Sequence, residues 1–172
     1  MSWKFGGRSL RMLEGVHPML VEVAKIGLQN SEVDFGITCG TRTLAQQMDN
    51  IRKGRSKTKQ SYHLIDWDWD WSDRGYKREK DGYSHAIDCV AYEGSDVVWE
   101  MPYYFKVADA LQSAIQKIGG NRPKLQWGCA WHLDDICTYA GDMKKAYNEY
   151  VDLRRSQGRT PFTDGPHFQI KF

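Results

Sequence analysis

The fold class is set by one stretch near the N-terminus, Val33-Asp34-Phe35-Gly36-Ile37-Thr38-Cys39-Gly40-Thr41-Arg42-Thr43. Apolar side chains at alternate positions from 33 to 39 predict a strand with one buried face. Gly40 and the two residues after it predict a turn. Thr43 and Gln46 then have the spacing of a capping box, which predicts a helix that ends near Gly54. A short strand followed at once by a helix indicates a mixed fold.

Similar patterns extend on both sides of this stretch. Apolar spacing predicts helices at about 13–28, 104–118 and 142–155, and strands at about 84–92, 125–127 and 167–172. The polar stretch 55–83 contains the tract Asp66-Trp67-Asp68-Trp69-Asp70-Trp71 and is predicted to be a long surface loop. The expected fold is therefore α+β: one domain with a small antiparallel sheet packed with helices.

Composition excludes several classes of protein. The 172 residues correspond to a single domain, and the net charge of +2 without a basic stripe argues against a nucleic-acid partner. No apolar run is long enough to insert stably into a membrane, and residues 1–5 do not resemble the start of a signal peptide. The four cysteines form no CxxC pair, which argues against a cysteine-based zinc knuckle. We expect a monomer made in a cytoplasm.

The candidate catalytic groups are carboxylates and histidines. Asp88 lies within an otherwise apolar strand, where a charge is costly unless it is paired or bound to a metal. Asp164 precedes His167 by three residues, with Gly-Pro between them. Two histidines and one carboxylate, with a second carboxylate nearby, are typical of a zinc hydrolase. Spacing alone leaves a salt-bridged Asp88 and a turn Asp164 as alternatives, because the candidates are scattered and HExxH is absent.

Taken in order, the motifs resemble those of the D-alanyl-D-alanine carboxypeptidase and L-alanyl-D-glutamate endopeptidase family of zinc peptidases (peptidase M15-like), and most of all its phage endolysin branch. The resemblance covers nearly the whole chain and rests on the following segments: Val16-His17-Pro18; 34–43 with Gln46-Gln47; 54–58 with Ser61-Tyr62-His63; Ser84-His85-Ala86-Ile87-Asp88; and Trp127-Gly128 with Asp164-Gly165-Pro166-His167-Phe168. It implies the D-Ala-D-Ala carboxypeptidase or Hedgehog-like fold, with a zinc site at the sheet.

The resemblance also implies a role for each matching residue. His63, Asp88 and His167 would bind one Zn²⁺ per chain. Asp164 would be the general base, and Arg42 would stabilise the oxyanion.

The chain departs from the family pattern at the first metal ligand. The family usually has the spacing SxHxxGxAxD, whereas here His63 is far from Asp88 and Ser84 stands where Gly is usual. Asp81 and His85 are therefore alternatives to His63. Strand alternation places His85 on the face opposite Asp88, which favours His63.

The function implied by the resemblance is zinc-dependent hydrolysis of peptidoglycan stem peptides by a single catalytic domain, residues 1–172, with insertions at about 65–82 and 132–160. The L-alanyl-D-glutamate bond is the expected target, and the role is that of a bacteriolytic phage endolysin, made in the host cytoplasm and acting on the cell wall after release. A D-alanyl-D-alanine carboxypeptidase is the alternative. A non-catalytic zinc-containing wall-binding protein is an alternative of another class, although such a protein could dispense with Asp164 and Arg42.

Other chemistries have weaker support. Cys39 lies in a predicted strand, not at the helix start that would favour a reactive thiolate. The sequence 56–59 fits SxxK but lacks the partner motifs of serine acyl-transfer enzymes. Asp66, Asp68 and Asp70 are spaced like calcium ligands, yet the required Gly is missing and the twelfth position is Lys77.

Overall fold

The computed structural model describes residues 2–65 and 81–172. The Trp-Asp tract, its calcium spacing and most of the predicted insertion at 65–82 lie outside the described residues. The helices are α1 (Gly7–Met12), α2 (Pro18–Asn30), α3 (Leu44–Arg52), α4 (Met101–Ile118) and α5 (Met143–Ser156). The strands are β1 (Asp34–Cys39), β2 (Ala86–Glu93), β3 (Asp96–Val98), β4 (Lys124–Trp127) and β5 (His167–Lys171).

The strands form one antiparallel sheet. Its order is β1-β2-β5-β4, and β3 pairs with the C-terminal part of β2 as a hairpin. Strand β5 pairs with the first residues of β2, so the last strand of the chain is inserted beside the centre of the sheet. This arrangement confirms the predicted α+β domain with a small antiparallel sheet.

One face of the sheet forms the core against α2 and α4. Alternate residues of the central strands, such as Ile87 and Cys89 on β2 and Phe168 and Ile170 on β5, are fully buried. Trp127 of β4 stacks on Phe168 with ring centroids 6.2 Å apart. Because side chains alternate along a strand, the intervening residues point to the other face, and that face carries the candidate site.

The helix predicted at 13–28 is present as α2, but it begins five residues later than predicted. The chain turns after α1, and α2 starts at Pro18, with the His17 Nδ1 accepting a hydrogen bond from the Met19 amide. Proline favours the first turn of a helix, and the residue before it disfavours helical backbone, which explains the break. The predicted capping box of α3 is confirmed, since Thr43 and Gln46 exchange both hydrogen bonds.

The segment predicted as an insertion at 132–160 contains a 3-10 turn, Ile136–Thr138, and α5. Helix α5 buries Met143 and Ala146 and contacts α4, so this segment belongs to the packed body of the domain. Among the described residues, no helix combines the length and the apolar character needed to cross a bilayer.

Candidate metal centre

The ends of three neighbouring strands bring polar side chains together. Asp88 on β2 lies directly opposite His167 on β5 and opposite Cys39 on β1. The register of β1 shifts between Ile37 and Cys39, which places Cys39 beside Asp88. Directly opposed residues of antiparallel strands point to the same face, so these three side chains form a row across the sheet.

A loop brings His63 over this row. The Arg42 amide donates to the His63 carbonyl over 2.8 Å, and the His85 amide donates to the Tyr62 carbonyl over 2.7 Å. The loop is thus held from both sides by main-chain hydrogen bonds. The His63 side chain is almost completely buried, with its ring directed at Asp88 and His167.

Three potential ligand atoms lie at nearly equal distances from one another. His63 Nε2 is 3.2 Å from Asp88 Oδ1 and 3.3 Å from His167 Nδ1, and His167 Nδ1 is 3.1 Å from Asp88 Oδ1. Ligand atoms about 2.0–2.1 Å from a tetrahedral zinc ion are roughly 3.3 Å apart, which follows from the tetrahedral angle. The three atoms therefore have the spacing of three corners of a zinc tetrahedron.

The remaining nitrogen of each imidazole faces a hydrogen-bond acceptor. His63 Nδ1 is 2.6 Å from the Gly40 carbonyl oxygen, and His167 Nε2 is 3.0 Å from Gln169 Oε1. Since Gly40 offers only an oxygen there, the neutral imidazole of His63 carries its hydrogen on Nδ1 and its lone pair on Nε2. The same holds for His167 if Gln169 presents its oxygen. Metal-binding histidines are usually oriented in this way.

The electrostatics of the cluster favour a positive charge between its members. Burial alone would lower the pKa of His63, but the charges and hydrogen bonds of Asp88 and Cys39 together outweigh burial and raise the pKa to about 10. Burial alone would raise the pKa of Asp88, but the charges and hydrogen bonds of His63 and His167 hold it well below its usual range. A proton or a metal cation bound between these side chains would supply that positive charge.

Cys39 provides a second set of donor atoms that overlaps the first. Cys39, His63 and Asp88 each offer a ligand atom within 4.8 Å of the other two. The Cys39 Sγ lies 3.7 Å from His63 Nδ1 and accepts a hydrogen bond of 3.4 Å from Arg42 Nη2. The thiol contacts His63 at Nδ1, which is directed at the Gly40 carbonyl, whereas His63 Nε2 faces His167.

Asp164 belongs to a turn fixed by main-chain contacts. Its amide donates to the Gly128 carbonyl over 2.9 Å, and its carbonyl accepts from the His167 amide over 3.1 Å. The Trp127 indole donates to the Gly165 carbonyl over 2.8 Å. Burial raises the pKa of Asp164, partly offset by the charge of His167, which suits a group that must accept and release a proton.

Arg42 is held between the candidate metal centre and the α3 helix. Its Nη2 lies 3.6 Å from Asp88 Oδ2, and its Nη1 donates to Gln47 Oε1 over 2.7 Å. Gln47 is fully buried, and its amide nitrogen donates to Ser56 Oγ over 2.9 Å and to the Thr58 carbonyl over 2.6 Å. Through Gln47, the guanidinium is connected to the loop after α3.

These groups line one open groove of about 510 Å³. Arg42, His63, Asp88, Asp164 and His167 all contribute to its surface. The loop at 54–62 forms one wall, and aromatic side chains at 131 and 162 lie among the other lining residues. The charged and polar side chains of the candidate site therefore face solvent through this groove.

The alternative ligands Asp81 and His85 lie together elsewhere. His85 Nε2 is 2.7 Å from Asp81 Oδ2, and the same oxygen is 3.7 Å from His17 Nε2. The structure thus brings His63, not His85, to Asp88 and His167.

Known proteins share the sequence pattern and the fold of this chain. The family model of the phage L-alanyl-D-glutamate peptidases matches residues 1–170. The chain belongs to this family. It is 31% identical over 133 residues to the L-alanyl-D-glutamate peptidase of Escherichia phage T5, which covers 77% of this chain and 84% of the phage protein.

A solved structure is similar over the full length of this phage-type peptidase. The L-Ala D-Glu endopeptidase ChiX of Serratia marcescens superimposes with a TM-score of 0.63 and 29% identity, covering 99% of this chain and 92% of that chain. The resemblance inferred from the sequence motifs is therefore confirmed at the level of family and fold.

Four residues next to the centre were not singled out as functional from the sequence. Cys39 was interpreted as an ordinary strand cysteine, and Gln47, Gln126 and Gln169 received no role. A signal existed for Gln169, since a residue two positions after His167 shares its face of the strand. Only the strand register shows that Gln126 lies near the centre, and only the packing of α3 shows it for Gln47.

Proposed function

We propose that this protein is a zinc-dependent peptidase that cleaves the L-alanyl-D-glutamate bond of peptidoglycan stem peptides. The observation that carries the proposal is the triangle of His63, Asp88 and His167 ligand atoms, 3.1–3.3 Å apart. Family membership supports the bond specificity. We favour this donor set over the one containing Cys39, because both of its imidazoles have their other nitrogen hydrogen-bonded to an acceptor.

His63, Asp88 and His167 would hold the ion, and all three line the groove. A bound Zn²⁺ supplies a Lewis acid and lowers the pKa of water toward about 7. Asp164 accepts the proton of the attacking water and returns it to the leaving amine, and its raised pKa favours that return. The turn that holds Asp164 fixes its position relative to His167, three residues further along.

Arg42 supplies a fixed positive charge for the oxygen of the attacked carbonyl. Its guanidinium borders the groove beside Asp88, and Gln47 and Cys39 hold two of its nitrogens in place. A preorganised cation in a partly buried site stabilises developing negative charge without having to reorient. Its contact with Asp88 Oδ2 also directs the other carboxylate oxygen toward the histidines.

We further propose that the enzyme acts as a bacteriolytic endolysin. The family consists of phage peptidases, and the candidate site lies in an open groove at the surface of the domain. The proposed reaction needs no second protein chain, and we expect a monomer.

The test combines metal analysis with product analysis. We expect about one zinc ion per chain after dialysis, loss of activity on chelation and recovery on adding Zn²⁺. Digested peptidoglycan should carry new C-terminal L-Ala and N-terminal D-Glu, identified by mass spectrometry. Release of D-Ala would indicate the carboxypeptidase instead, and zinc binding without any product would indicate a wall-binding protein.

A further inference from the structure

Two buried glutamines lie beside the metal centre on the strands β4 and β5. Gln126 and Gln169 are directly opposed in the sheet, and each is less than one-tenth exposed. Gln169 Nε2 donates to Gln126 Oε1 over 2.8 Å, and Gln126 Nε2 donates to the Leu133 carbonyl over 3.4 Å. On the other side, Gln169 Oε1 accepts from His167 Nε2 over 3.0 Å.

The Leu133 carbonyl, at one end of this row, fixes the direction of these hydrogen bonds. The Leu133 carbonyl can only accept, so it requires the NH₂ end of the Gln126 amide. Gln126 must then present its oxygen to Gln169, and Gln169 in turn must present its oxygen to His167. Reversing either amide would set two acceptors or two donors against each other in a buried place, which is unfavourable.

We propose that Gln126 and Gln169 are positioning residues that fix the tautomer of His167 with the hydrogen on Nε2. The bare Nδ1 then faces Asp88 Oδ1 and His63 Nε2, as a metal ligand must. The inference rests on the proposed metal site but adds a feature of its own. The Leu133 carbonyl, at the start of the 132–160 segment, sets the tautomer of His167 through the side chains of Gln126 and Gln169.

The alternative is that the glutamines only fill space and stabilise the sheet. The two ideas differ in what they predict for metal binding. A packing role changes the free energy of unfolding, whereas a positioning role changes zinc affinity and the position of the His167 proton in a folded protein. Outer partners of metal ligands typically contribute about 10–100-fold to metal affinity.

The experiment measures zinc affinity by competition with a chelating dye in four variants. Gln169→Leu removes the acceptor, and we expect its zinc affinity to fall about 10–100-fold. Gln169→Glu keeps an acceptor toward His167 but loses the donor to Gln126 Oε1, so we expect its zinc affinity to exceed that of Gln169→Leu. Gln126→Leu frees the Gln169 amide to turn and should show a smaller loss. Adding Gln126→Leu to Gln169→Leu should cause no further loss, since both act through one nitrogen.

A matched control and a spectroscopic readout complete the test. Gln112→Leu removes two hydrogen bonds to backbone carbonyls of Ile136 and Tyr139 and should leave zinc affinity unchanged. Nitrogen-15 NMR of the metal-free protein should show His167 protonated on Nε2 in the wild type and a mixture of tautomers in Gln169→Leu. Circular dichroism checks that each variant is folded.

The outcomes separate this inference from the proposed function. Wild-type zinc affinity in a folded Gln169→Leu variant, or an unchanged His167 tautomer, would overturn the positioning role and leave the peptidase proposal intact. A wild type that binds no zinc would refute the metal site, and the NMR comparison would still decide whether the glutamines set the tautomer.

Discussion

The perturbation with the clearest expected magnitude is the replacement of Gln47 by leucine. Gln47 is fully buried and makes three hydrogen bonds, one with the charged Arg42 and two with Ser56 and Thr58. A hydrogen bond to a charged group contributes about 1.5–3 kcal/mol and a neutral one about 0.5–1.5 kcal/mol. The sum predicts that Gln47→Leu lowers the free energy of unfolding by roughly 2.5–6 kcal/mol.

The same change should also impair catalysis in the molecules that remain folded. Arg42 would lose the partner of its Nη1, and the guanidinium would be held at the groove only through the contacts of its Nη2. Misplacement of a catalytic group by about 1 Å can cost about 10²-fold, so we expect kcat/KM to fall about 10–100-fold.

Urea unfolding followed by circular dichroism measures the first effect, and hydrolysis of purified peptidoglycan measures the second. Gln46→Leu on the same helix is the control, because it removes only the capping contact to the Thr43 amide and should cost about 0.5–2 kcal/mol. If Gln47→Leu were no more destabilising than this control and kept full activity, the reasoning about Arg42 and its loop would be refuted.

Three further outcomes are expected. Asp164→Asn should retain zinc and fold but lose about 10²–10⁴-fold in kcat, measured on peptidoglycan; near-normal turnover would exclude it as the general base. Gly128→Ala should displace the Asp164 turn, because a Cβ at Gly128 would lie 2.2 Å from the Asp164 carbonyl oxygen. Activity should fall with little change in helix content by circular dichroism, and an active Gly128→Ala enzyme would contradict the close approach. His63→Ala should abolish stoichiometric zinc, measured by atomic emission, whereas His85→Ala should retain it; the reverse result would falsify the ligand set.

Much of the fold follows from local patterns. The capping box of α3, the strand at Asp34–Cys39 and the final strand at His167–Lys171 were all predicted from spacing, since side-chain alternation and end-capping are properties of short segments. The boundary at Pro18 could also have been inferred locally, because proline marks a helix start. The hairpin strand Asp96–Val98 was missed, since three residues carry too little pattern.

The sequence by itself determined which residue types are present and, through the order of its motifs, the family to which they belong. The residues alone left open how distant side chains would meet. Tertiary structure decided that, because strand register sets Asp88 opposite His167, and main-chain hydrogen bonds bring the loop of His63 over them. The roles of Gln47, Gln126 and Gln169 also came only from tertiary structure. An amide has no chemistry of its own that reveals a function, and its effect depends on which partners packing places at its two ends.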